Sequence, residues 1–156
     1  MESMADRVRA FRLVKAQYAP GLDGEGAKKS PGRWNAAGAP MVYCASSASL
    51  AVLETFVHLP PAMRRADRFP PLVQVTLDVV ASGVTELSVT DPYDLAQTRR
   101  AGTDWLTSMS GVGAWVPSQV VPADRNLLLN PRHPDFGSRV TVVEIAPFTY
   151  DPRMAT

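Results

Sequence analysis

At 156 residues the chain fits one domain and is long enough to bury a sizeable core without a disulfide or metal staple. Hydrophobic residues make up 46% and charged residues 20%, which excludes a disordered or collagen-like chain. Sixteen Lys and Arg against 15 Asp and Glu leave a net charge of +1, without the basic surplus expected of a nucleic-acid binder of this size.

A charged lead-in gives way to a strand around Ala10–Val14. Leu22–Asn35 reads as a loop, marked by Gly24, Gly26, Pro31, Gly32 and the Lys28–Lys29 pair. Pro40–Ala45 is a short apolar run with strand character. Ser46 or Ser47 then caps a helix running to about His58, which Pro60–Pro61 stops. Leu72–Val80 alternates most clearly: Val73, Val75, Leu77 and Val79 face one way, Gln74, Thr76 and Asp78 the other. A weaker strand is expected over Val84–Val89. Asp91–Pro92 turns into an amphipathic helix near Asp94–Met109. Ala114–Pro117 and Gln119–Val121 read as short strands on either side of Ser118, followed by Asn126–Pro131, the loop Arg132–Phe136 and a final strand over Arg139–Ile145. The 14 prolines, above the usual ~5%, favour strands and defined loops over a helical bundle. Strands outnumber helices and stand too close together for crossover helices. The expectation is an α+β fold: a compact single domain over 1–156, with a mixed, mainly antiparallel β core and flanking helices.

One cysteine, Cys44, rules out an internal disulfide or a multi-Cys zinc centre, and the separation of His58 from His133 excludes a His-rich metal cluster, leaving only a mixed carboxylate one open. Met1–Tyr18 has no secretory apolar segment, and no run approaches the ~20 residues that span a bilayer, so a cytoplasmic, reduced chain is expected. There is no glycine-rich nucleotide fingerprint and no nucleophile elbow. Gly24-Glu25-Gly26 lacks the Lys-Ser or Lys-Thr of a phosphate loop.

Glu54 carries the strongest physical argument. It is the lone charge in Ala48–Val57, a helix apolar on every face and hence expected to be buried. A carboxylate there must find a partner or shift its pKa; a structural salt bridge to an arginine would serve as well as a catalytic role. Arg33 follows a glycine and precedes Trp34, and its planar fork suits phosphate or carboxylate oxygens. Arg12, inside an apolar strand, raises the same question. Taken singly, Tyr43 reads as a core tyrosine, Ser118 as a turn residue, His58 as a helix end and His133 as a loop position.

Their order along the chain says more. Arg12, Gly-Arg-Trp-Asn at 32–35, Val-Tyr at 42–43, Leu-Glu with a downstream His at 53–58, Val-Pro-Ser at 116–118, Asn-Leu-Leu-Leu-Asn-Pro at 126–131, His-Pro-Asp-Phe at 133–136 and Asp-Pro-Arg at 151–153 form one series. The chain resembles RES-domain proteins, the toxin partners of RES–Xre toxin–antitoxin pairs, over about 12–153. The family's naming arginine, glutamate and serine match Arg33, Glu54 and Ser118; Pro31 stands where the pattern has a second glycine. The resemblance implies a fold similar to ADP-ribosyltransferase toxins and destruction of NAD at the nicotinamide–ribose bond, by hydrolysis or phosphorolysis. It implies catalysis by Glu54, Arg33 and Tyr43, with Arg12, Arg33, Tyr43 and Ser118 binding substrate. NAD is then a substrate, and no cofactor or metal is implied. It also implies a cognate Xre-type antitoxin that covers the cleft and makes any DNA contact, with room for a homodimer in that complex, and no membrane partner. An ADP-ribosyltransferase acting on a protein would use the same residues. A silent binding module and an RNA-cleaving toxin are the remaining rivals, the last disfavoured by the neutral charge and the lack of paired histidines.

Overall fold

The computed structural model describes residues 6–155. Seven strands form a single sheet: β1 (Arg7–Lys15), β2 (Val42–Ala45), β3 (Leu72–Val80), β4 (Val84–Glu86), β5 (Gly113–Pro117), β6 (Arg125–Leu129) and β7 (Val140–Phe148). Their order is β4-β5-β6-β2-β1-β3-β7, antiparallel throughout except for the β4–β5 pair. The helices are α1 (Glu25–Lys29), α2 (Ala48–Val57), α3 (Leu95–Ser108) and α4 (Phe136–Arg139). This is the α+β architecture expected from the strand spacing.

Local chemistry explains the element ends. Ser47 caps α2 by accepting from the Leu50 amide at 3.1 Å, and Asp94 caps α3 by accepting from Gln97 at 3.2 Å. Helix α3 ends where Met109 takes a left-handed conformation, φ 54°. In β3 the alternation is realised: Val75, Leu77 and Val79 are fully buried. They join Ala10, Val42, Cys44, Leu127 and Leu129 in one core cluster. Successive residues of a strand point to opposite faces, so Leu128 goes the other way. It packs with Ala114, Val116, Trp34, Trp105 and Leu106 beneath α3.

Several expectations are corrected. The loop Leu22–Asn35 contains the short helix α1, and Gln119–Val121 is a bend instead of a strand. There the chain turns back: the Asp124 amide donates to Val121 O and the Ser118 amide to Asp124 O, both within the turn. The last strand begins one residue later than expected, after α4 takes Arg139, and continues to Phe148. Helix α2 is not buried all round. Leu50 and Ala51 are buried against Phe11 and Ala45, whereas Leu53 and Val57 are 39% and 42% exposed.

One irregularity positions everything below. β1 runs beside β3 along its whole length, from Arg7 opposite Val80 to Lys15 opposite Leu72. It meets β2 only at Phe11 opposite Ala45. The sheet therefore parts between β1 and β2, and the parting is a cleft.

Candidate active site

The cleft has a volume of about 530 Å³, and Arg12, Arg33, Tyr43, Glu54, His58 and Asn126 are among the residues lining it. Four of the five side chains singled out in the sequence thus converge on one wall system, although they come from β1, the loop after α1, β2 and α2.

Glu54 projects from α2 toward β5 and β6. Its Oε1 accepts from Ser118 Oγ at 2.6 Å and from Asn126 Nδ2 at 2.9 Å. These partners lie 64 and 72 residues away in sequence. The expected partner for the lone carboxylate is therefore a hydroxyl and an amide, and none of the ion pairs among the described residues involves Glu54. One carboxylate oxygen is fixed from behind; Oε2 accepts no hydrogen bond from the described residues.

Ser118 does not stand on the cleft wall where a substrate contact was expected. It is 2% exposed, and the turn that follows folds it inward. Its hydroxyl donates to Glu54 and accepts from the Val121 amide at 3.0 Å, so both of its hydrogen-bonding roles serve protein atoms.

Arg33 rides on a loop tied down at nearly every residue. Asn35, fully buried, accepts on Oδ1 from the Gly32 amide at 2.9 Å and from Tyr43 OH at 2.7 Å, and donates to Ala27 O at 2.7 Å and Ala39 O at 2.9 Å. The Trp34 amide donates to Tyr43 OH at 2.9 Å. From α3, Arg99 Nε donates to Gly32 O at 2.9 Å and Thr98 Oγ1 to Arg33 O at 2.6 Å. The backbone is held; the guanidinium faces the cleft, and its Nη1 is buried with no partner among the described residues.

Tyr43 consequently has two faces. Its ring lines the cleft, while its hydroxyl is spent on the Trp34–Asn35 loop. Burial pushes the phenol up to about 12, opposed by the hydrogen bonds from the loop and by nearby Arg99 and Arg33. Gly32 lies on this ring so closely that a Cβ there would meet Tyr43 Cζ at 2.7 Å.

Arg12 sits at the parting of the sheet. Its Nη1 donates to Tyr43 O at 2.7 Å, bridging β1 to β2 where the strands have separated, and its Nε is buried without a partner among the described residues. Burial lowers its pKa from the ordinary arginine value, with Cys44 and Asp23 opposing. The same burial raises the Cys44 thiol to about 11.

Three contributors escaped the sequence reading of the site. Asn126 was visible only as part of a motif. Arg99 and Thr98 gave no signal beyond membership of an amphipathic helix. His58 lines the cleft rim, its Nδ1 2.7 Å from Glu54 O, which is a helix-end contact. His133 is remote from the cleft, with its Nε2 3.1 Å from Met109 O beyond the end of α3.

Comparison with known proteins identifies the family and the fold. The family model described as the RES domain matches residues 7–151. A protein named Toxin Res from Yersinia enterocolitica is 36% identical over 155 residues, covering 92% of this chain and 97% of that one. A protein named Prs ADP-ribosylating toxin from Sphingobium sp. is 37% identical over 147 residues, covering 90% of this chain and 91% of that one. Among solved structures, a chain in the crystal structure of the M. tuberculosis MbcT–MbcA toxin–antitoxin complex superposes with a TM-score of 0.67, covering 92% of this chain and 85% of that one at 18% identity; the likeness is one of fold.

Proposed function

The chain belongs to the RES-domain toxin family, and we propose that it is an enzyme that destroys NAD by breaking the nicotinamide–ribose bond, with water or phosphate as acceptor. The observation that carries this reading is the Glu54 carboxylate. It is anchored through one oxygen by Ser118 and Asn126, on the wall of a cleft that also holds two arginines.

Nicotinamide is bound to ribose as a pyridinium. When the C1′–N1 bond breaks, its electron pair goes to the ring nitrogen and nicotinamide leaves neutral, so no general acid is required. Positive charge develops on the sugar, as in glycoside cleavage. A fixed carboxylate stabilises that charge without having to reorganise, and this is the role of Glu54. An oxygen of water or phosphate then bonds to C1′, with the water proton passing to solvent. Arg33 and Arg12 clamp the pyrophosphate: both are rigid forks on the cleft, each with a nitrogen that has no partner among the described residues. The Tyr43 ring forms the wall against nicotinamide or its ribose, and Ser118 acts through Glu54. A cleft of about 530 Å³ lies within the range for small-molecule sites, roughly 300–1,000 Å³.

The name of the Sphingobium relative favours a second reading, transfer of ADP-ribose to a protein. The same residues serve either acceptor. Purified protein incubated with NAD, with and without phosphate, distinguishes them: turnover to free nicotinamide supports degradation, and labelling of a protein without such turnover supports transfer.

As a freely active NAD-degrading enzyme would harm its host, the cytoplasmic partner that completes this reading is an Xre-type antitoxin covering the cleft. The crystal structure of a similarly folded chain is that of a toxin–antitoxin complex. Val57 lines the opening such a partner would close, and with Leu53, one turn earlier in α2, it leaves an exposed apolar edge.

A further inference from the structure

Asn126 lies in β6, opposite Ala45 of β2 and Val116 of β5, and its successors Leu127, Leu128 and Leu129 are all fully buried. An apolar side chain would suit the interior of such a sheet. Its side chain makes one hydrogen bond among the described residues, from Nδ2 to Glu54 Oε1 at 2.9 Å. The other end of the amide, Oδ1, is buried and accepts from none of the described residues. The orientation is forced, because a carboxylate accepts and cannot donate, so the amide nitrogen must face Glu54. A buried carbonyl left without a donor lowers stability. The strand therefore carries a destabilising group whose one polar contact is to the proposed catalytic carboxylate.

We infer that Asn126 is a positioning residue that fixes the plane of the Glu54 carboxylate and leaves Oε2 as the oxygen that faces the sugar. Ser118 alone cannot do this. A hydroxyl is a single rotor and permits rotation about its hydrogen bond, whereas a planar amide on a central strand supplies a second, fixed direction to the same oxygen. In its catalytic consequence the inference rests on the reading given under Proposed function; in its structural consequence it stands alone.

Asn126→Ala and Asn126→Leu, which fills a similar volume without a donor, test it. Loss of the donor is expected to lower kcat for nicotinamide release by about 10–100-fold, the scale on which a misplaced group slows chemistry. KM should stay within about twofold, since uniform substrate binding is untouched. The melting temperature of Asn126→Ala should fall by no more than a few degrees, because losing the unsatisfied carbonyl offsets the lost hydrogen bond to Glu54. A crystal structure of either variant should show the Glu54 carboxylate rotated from its position against Ser118. Unchanged kcat, or a loss confined to KM, would overturn the inference. If the wild-type protein releases no nicotinamide, the proposed reaction falls, and the crystal structure still decides: a Glu54 carboxylate unmoved in Asn126→Ala overturns the positioning role.

Discussion

Gly102→Ala sets two physical effects against each other. Gly102 lies inside α3, where alanine is the better helix former by about 1 kcal/mol, so propensity alone predicts a more stable protein. The structure predicts the reverse. A Cβ on Gly102 would lie 1.7 Å from Trp34 O and 2.7 Å from Trp34 C, both backbone atoms. Real Cβ contacts essentially never fall below 3.0 Å, so the oxygen must retreat by 3.0 − 1.7, about 1.3 Å. Trp34 is bracketed by Arg33 and Asn35, both bonded into the same loop, and the displacement passes straight to Arg33. Overpacking of this kind costs about 1–3 kcal/mol or more, enough to exceed the gain in propensity. At this chain length each kcal/mol lowers the melting temperature by roughly 2–4 °C. A shift of about 1 Å in a binding group slows catalysis by about 100-fold. Thermal melting and steady-state nicotinamide release measure both. A Gly102→Ala protein that melts higher than wild type and keeps its kcat/KM would refute the packing argument.

Tyr43→Phe keeps the cleft-lining ring and removes only the hydroxyl, leaving the Trp34 amide without an acceptor. A stability loss of about 1–3 kcal/mol is expected, with KM rising more than kcat falls because the loop carries a binding arginine; denaturant melts and steady-state kinetics test it, and unchanged values contradict it. In alkali, the raised pKa values of Cys44 (from 9.0 to about 11) and Tyr43 (from 10.0 to about 12) mean that the unfolded chain releases these protons first. Their contribution to stability is complete below pH 9 and is lost as the pH rises through 9–12. The melting temperature should decline across that window, and Cys44→Ala should remove the leg between 9 and 11; a wild-type melting temperature that is flat to pH 12 contradicts this.

The parts of the fold governed by local pattern were legible. The alternation of β3, the Ser47 cap and the arrest of α2 before Pro60 depend on residues within a few positions of one another. Gln119–Val121 turns where a strand is expected because a short β-rich run looks the same whether it extends or turns, and the deciding hydrogen bonds come from Ser118 and Asp124. Helix α2 was expected to be buried because apolar residues occupy every face. Its burial is set by what lies opposite: Leu50 and Ala51 meet the sheet, and Leu53 and Val57 stand 39% and 42% exposed.

The site divides along the same line. Glu54 stood out as a lone charge, and Arg33 and Arg12 as cations beside apolar neighbours, all properties of single residues in their local context. Ser118 is expected beside substrate, yet its hydroxyl is committed to Glu54, because pairing across 64 residues depends on how β5 lies beside α2. Arg99 and Gly102 were silent for a related reason. A glycine inside an amphipathic helix reads as a weakness, and only the Trp34 carbonyl packed against it shows why no larger residue fits.

The most direct measurement is the mass of the products formed from NAD by the purified protein and by Glu54→Gln, with and without phosphate. Wild type should yield free nicotinamide together with ADP-ribose or its 1-phosphate. Glu54→Gln, which keeps the shape of the side chain and removes its charge, should lose that turnover by about 100-fold or more, on the scale of removing one preorganised electrostatic group, while still folding. Equal turnover by the two proteins, or intact NAD with folded wild type, would contradict the account at its centre.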